Sequence, residues 1–225
     1  MDPIEAHRVR HRKPATRMTL LAHLFGIIAT VLLIVWLLHY REGIDLDSDS
    51  ASRVFNVHPF LMFFGFIFMA GEAMMAYKTV LAEREVQKFV HMFIHLVAIV
   101  LGIVGLHAAF KFHERRGLTN LYSLHSWIGI GTFSLYCLQW LIGLSVFLLP
   151  GASHDSRARV ASWHVNGGRV LLFMAICTAL TGLTEKATVM GLQHQSEART
   201  INFLGLSILL FGILVDLSVS LGRYL

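Results

Sequence analysis

FVHMFIHLVAIVLGIVGLHAA, Phe89–Ala109, runs 21 residues with no Asp, Glu, Lys or Arg. At about 1.5 Å per helical residue it extends ~30 Å, the thickness of the hydrocarbon core of a bilayer. Five further segments are long and mostly apolar: Met18–Leu38, Val57–Tyr77, Leu121–Leu149, Val160–Leu183 and Ile201–Leu221. The connections between them are short. The pattern therefore predicts an all-α integral membrane protein of six transmembrane helices, with residues 1–225 forming one domain. Composition agrees: the chain is 55% hydrophobic and 15% charged, against about 25% charged in an average soluble domain, and its mean hydropathy is +0.61.

The basic stretch His7–Arg17 precedes the first apolar run, which is too long for a signal peptide and lacks a small-residue cleavage site; an uncleaved anchor is expected. Orientation follows from Lys and Arg. Arg8, Arg10, Arg12, Lys13, Arg17, Lys78, Arg84, Lys88, Arg157, Arg159, Arg169 and Arg223 fall on one side. Arg41, Arg53, Lys111, Arg115, Arg116, Lys186 and Arg199 fall on the other. The excess places both termini in the cytoplasm. The net charge of +5 is mostly this bias, so nucleic acid is not an expected partner. Cys137 and Cys177 lie mid-span and read as small packing residues, with neither disulfide nor zinc spacing.

Four of the 13 histidines carry the functional reading. His58, His91, His125 and His164 each stand near the head of a successive segment. Successive membrane helices are antiparallel, so His58 and His125 share one face of the membrane and His91 and His164 the other. A six-coordinate haem needs two neutral imidazoles on opposite sides of one iron, and helices two apart in sequence supply them at one depth. Two non-covalent, bis-histidyl b haems are expected, since no Cys-x-x-Cys-His occurs. His95 is one turn from His91 on the same helix face, and spacing alone does not separate them. Gly65, Gly129, Gly167 and Gly168 follow the histidines at helical spacing; they either clear space for a macrocycle or let helices pack closely. Glu72, Glu185 and Asp216 lie in or near spans and require partners there. A haem-free transporter moving protons or metal through intramembrane His and Glu is the alternative. A haem subunit that passes electrons within a larger complex is a second.

Four motifs add a family. Asn56-Val57-His58-Pro59, Ala73-Met74-Met75-Ala76-Tyr77-Lys78, Tyr122-Ser123-Leu124-His125-Ser126-Trp127 and Phe147-Leu148-Leu149-Pro150-Gly151-Ala152-Ser153 resemble, in order, the eukaryotic cytochrome b561 family, plant-type members above all. The resemblance covers Phe55 to Thr184. It implies a haem core at about 55–184 within six helices, taking electrons from cytosolic ascorbate and delivering them to monodehydroascorbate or ferric chelates. It implies His58 and His125 as ligands of the non-cytoplasmic haem, and His91, rather than His95, with His164 for the cytoplasmic one. It further implies a homodimer in the plasma, vacuolar or secretory-vesicle membrane. The family's Ala-Leu-Leu-Val-Tyr-Arg, linked to cytosolic ascorbate, ends here in Lys78; charge is kept and the guanidinium fork is lost. Its Ser-Leu-His-Ser-Trp, linked to the outer acceptor, is intact.

Ascorbate is an anion at neutral pH, so cations beside each haem edge are candidate substrate contacts. Inside these are Lys78, Arg84, Lys88, Arg157 and Arg159, with Lys88 and Arg157 flanking the ligand-bearing helices. Outside they are Lys111, His113, Arg115 and Arg116, with Tyr122. His113 is suited to accept the proton ascorbate loses as its electron leaves. Tyr77, Tyr122, Trp127 and Trp140 are aromatic candidates along the path, or interfacial belt residues.

Overall fold

The computed structural model describes residues 3–222, and side chains for residues 15–221. The side chains of Arg8, Arg10, Arg12 and Lys13, and Arg223 altogether, lie outside the described residues. Among the described residues the chain is helical without strands, and six helices are long and apolar enough to cross a membrane. They are α1 (Ala15–Tyr40), α2 (Ala51–Thr79), α3 (Arg84–Arg116), α4 (Leu124–Leu148), α5 (His154–Val189) and α6 (Ser196–Leu221). This is a multi-pass integral membrane protein. Helices satisfy their own backbone groups, which hydrocarbon demands.

Several helices begin or end outside the apolar segments. α5 starts at His154 because the Ser153 hydroxyl accepts from the Ser156 N–H, 3.2 Å away. His164 therefore lies ten residues, about 15 Å, along α5, whose first turns precede the apolar segment. α4 starts later than the apolar run, at Leu124, where Ser123 forms a capping box with Ser126. Leu121 and Tyr122 are consequently loop residues, and Leu121 has φ of 55°. The first turns of α3 hold Arg84 and Lys88.

The tight core forms where α1, α2, α5 and α6 meet, around Trp36, Leu37, Ile67, Met75, Ile176 and Phe211, all buried. Pro59 lies within α2 and cannot donate to the helical ladder; a wide-turned π segment, Phe63–Met69, follows it. Several ionisable groups within spans are paired across helices. Arg169 of α5 holds Asp216 of α6 through Nε and Nη2, and His23 of α1 meets Glu72 of α2 at 3.1 Å. Glu197 of α6 receives the Trp36 indole N–H at 2.8 Å and the Arg41 guanidinium. Each link ties the outer pair α1 and α6, or their neighbours, without touching the four histidines.

Candidate functional site

His58 of α2 and His125 of α4 face each other with ring centroids 6.0 Å apart and planes at 88°. His91 of α3 and His164 of α5 do so at 6.2 Å and 67°. Two imidazoles bonded at ~2.0 Å on opposite sides of one metal bring their centroids about 6 Å apart, so both pairs have the spacing of an axial ligand set. The first pair lines a cavity of about 340 Å³. The second lines one of about 1160 Å³ at the opposite end, where α1 begins.

The ring nitrogens support the same reading. Nδ1 of His58 meets the Gly105 carbonyl at 3.0 Å, Nδ1 of His91 the Ala73 carbonyl at 2.8 Å, and Nδ1 of His125 the Thr178 carbonyl at 2.9 Å. A carbonyl only accepts, so Nδ1 carries the proton and Nε2 keeps a lone pair for a metal. This is the backbone support that fixes tautomer and ring orientation in metal-binding histidines. The Nδ1 of His164 is buried with no such acceptor.

Two glycines make room for the rings. A Cβ at Gly143 would sit 2.8 Å from Cε1 of His164, and one at Gly182 2.7 Å from Cε1 of His125. Sequence reasoning missed both, because each acts on a histidine of another helix. Of the glycines it singled out, Gly129 and Gly168 line cavities. Gly65 instead backs onto the Ala98 carbonyl of α3 and serves helix packing, while Gly167 faces Gln139. His95 lines the larger cavity beside His91, its ring 4.5 Å away, and its Nδ1 is taken by the Tyr136 hydroxyl. Among the described residues, no three or more His, Cys, Asp or Glu gather as ligands for a bare metal ion. The spacing and backbone support of the paired imidazoles suit an iron whose other ligands come from a macrocycle, and the residues fit that group.

The sequence pattern described as eukaryotic cytochrome b561 matches residues 57–190. A rice protein (Oryza sativa subsp. japonica) named probable ascorbate-specific transmembrane electron transporter 2 is 42% identical, over 89% of this chain and 87% of its own length. Transmembrane ascorbate ferrireductase 1 of Arabidopsis thaliana is 40% identical, over 92% and 88%. The plasma membrane ascorbate-dependent reductase of Xenopus laevis is 41% identical, over 85% and 70%. This chain belongs to the eukaryotic cytochrome b561 family.

Cytochromes b561 bind haem b, and in this one the cations proposed from sequence divide by position. At the end where α1 begins, Lys78, Arg84 and Lys88 line the larger cavity. Lys78 is tethered to Ser218 of α6; the Arg84 guanidinium lies 4.6 Å over the Tyr77 ring; Lys88 pairs with Glu85 at 2.7 Å. Arg157, two turns before His164 on α5, does not line it, although its Nε is buried and unbonded. Arg159 is exposed. Tyr77 and Trp140 line this cavity too.

At the other end His113 and Tyr122 line the smaller cavity. His113 Nδ1 meets Asn120 Oδ1 at 2.9 Å, and the Tyr122 hydroxyl donates to Glu185 at 3.4 Å. Lys111, Arg115 and Arg116 do not line it. Lys111 instead donates to the Leu46 carbonyl at 2.8 Å and Arg115 to the Ser48 carbonyl at 2.6 Å, pinning loop 41–50 to the end of α3. Trp127 is exposed and donates to the Leu121 carbonyl at 2.9 Å. The cation that does line this cavity, Lys186, was read from sequence only as a topology residue.

Proposed function

We propose that this chain moves single electrons across its membrane, from ascorbate on the cytoplasmic side to monodehydroascorbate or a ferric chelate on the other. The observation that carries the reading is the two imidazole pairs, 6.0 and 6.2 Å apart, each beside its own cavity at opposite ends of the bundle. The names of the relatives, an ascorbate-specific electron transporter and an ascorbate ferrireductase, supply the donor and the class of acceptor. Residues 1–225 act as one domain with its haem core at about 55–184, and His58 with His125 and His91 with His164 hold two non-covalent haems b. When bound, these would supply one-electron carriers.

The chain's own residues do the rest. Backbone carbonyls of Gly105, Ala73 and Thr178 hold three imidazoles neutral and oriented. Lys78, Arg84 and Lys88 make the rim of the larger cavity cationic, and Arg157 flanks it, which draws in and orients the ascorbate anion. Ascorbate loses one electron and one proton in becoming monodehydroascorbate. The reverse conversion at the other face consumes one of each, and His113, at the mouth of the smaller cavity, exchanges that proton. Tyr122 lines the same mouth, with Lys111 and Arg116 flanking it. The basic excess orients both termini to the cytoplasm. A homodimer in the plasma, vacuolar or secretory-vesicle membrane completes the reading and rests on the family resemblance.

An optical spectrum of the purified protein before and after ascorbate, with haem quantified per chain, tests this. Two b-type haems reduced by ascorbate are expected. Two haems that ascorbate leaves oxidised would replace the reading with that of a subunit in a larger complex, and a colourless protein would sink it.

A further inference from the structure

The smaller cavity's mouth contains one ammonium that sequence reasoning left out. Lys186 stands four residues after Gly182 and eight after Thr178 on α5. These three therefore share one helix stripe: Thr178 holds the His125 imidazole, Gly182 lies against its ring, and Lys186 comes about 6 Å beyond Gly182 toward the helix end. The side chain is half-buried and lines the cavity. Its Nζ lies 3.9 Å from the centroid of Phe55 and 5.5 Å from that of Phe112. Aromatic faces hold a cation in place without neutralising it.

No carboxylate does neutralise it. Among the described residues Lys186 forms no salt bridge or hydrogen bond. The nearby acids are engaged elsewhere: Glu185 accepts from Tyr122, and Glu197 is held by Trp36 and Arg41. Of the other cations of this end, Lys111 and Arg115 are committed to loop 41–50 and Arg41 to Glu197, and Arg116 does not line the cavity. A partly desolvated ammonium with no anion of its own is complementary to an anion from outside.

We propose that Lys186, held against the adjoining rings of Phe55 and Phe112, is the residue that receives the anionic electron acceptor at the smaller cavity. This rests on the proposed direction of electron flow. The acceptor takes one electron from the reduced protein, converting, for example, a ferric chelate to its ferrous form. Lys186 stabilises its negative charge at the mouth and takes no part in the electron's route.

The experiment uses the full-length haem-loaded protein in detergent, reduced with dithionite so that the result does not depend on ascorbate as donor. Reoxidation is followed optically with anionic ferric-EDTA and with cationic hexaammineruthenium(III). In Lys186→Gln, the second-order rate with ferric-EDTA is expected to fall about tenfold and lose most of its salt dependence. The rate with the ruthenium complex should hold or rise, and Lys186→Arg should restore the anionic rate. Equal slowing with both acceptors, or no change with either, would overturn the proposal. Loss of haem, or a shifted haem spectrum, in Lys186→Gln would also overturn it, by assigning the ammonium to a carboxylate of the cofactor. Failure of ascorbate to reduce the wild type would count against the proposed donor and leave this comparison standing.

Discussion

Lys78 donates to the Ser218 hydroxyl 3.1 Å away, and that contact starts a directional chain through three helices. The Thr19 hydroxyl donates to the Ala15 carbonyl at 2.9 Å, so its oxygen is free to accept from Ser218 at 2.6 Å. The Ser218 hydroxyl thus donates a hydrogen bond to Thr19 and accepts one from Lys78. Lys78 also reaches the Ser218 carbonyl. Lys78 is thereby part of a clamp on the ends of α1, α2 and α6. Ser218→Ala breaks the chain at its middle. It is expected to cost about 1–2 kcal/mol, read as a lowered thermal midpoint, and to raise the KM for ascorbate because Lys78 is no longer held. An unchanged KM with a lowered midpoint would confine Ser218 to packing.

Gly143→Ala and Gly182→Ala each place a methyl against an imidazole ring. Each is expected to remove about one haem per chain, measured by pyridine haemochrome, Gly143→Ala at the His91/His164 cavity and Gly182→Ala at the other. Gly131→Ala is the control, since a Cβ there meets nothing within 4 Å. Two haems retained in both variants would mean the rings shift freely.

His91 and His95 share a helix face and a cavity, yet differ in their hydrogen bonds. His91 donates to a backbone carbonyl, whereas His95 is bound to the Tyr136 hydroxyl. His91→Ala is expected to lose one haem, and His95→Gln to keep both with a perturbed spectrum. The reverse outcome would exchange their roles.

Arg169 and Asp216 form a two-point pair between α5 and α6. Removing one partner strands the other charge within the span, so Arg169→Ala is expected to cost about 3 kcal/mol. The double replacement Arg169→Met with Asp216→Leu should recover most of that loss. A double-mutant thermal series in detergent measures both.

Much of this was legible in the chain itself. Helix number and the depth of His58, His91 and His125 follow from apolar run length and antiparallel order, which are local properties. The start of α5 was not legible, because its polar first turns carry no apolar signal and its boundary is set by the Ser153 cap. Gly143, Gly182 and Lys186 went unrecognised as site residues for a different reason. Each acts on a group some 20 to 130 positions distant, and nothing in its own neighbourhood marks it. Lys111 shows the converse: its position beside the site suggested substrate, while its ammonium is spent on the Leu46 carbonyl.

The central stretches of α2 and α6 are 50% buried, those of α3 and α4 only 17% and 11%. So α3 and α4, which carry His91 and His125, are the helices with least protein around them. Ligands that bind only the folded chain stabilise it by mass action, and groups held between α2 and α4 and between α3 and α5 would add contacts that α3 and α4 otherwise lack. Biogenesis would then follow nutrient status: a cell short of haem would insert the same six helices but clear more of them through quality control, so the abundance of this carrier would track iron and porphyrin supply without any dedicated regulator.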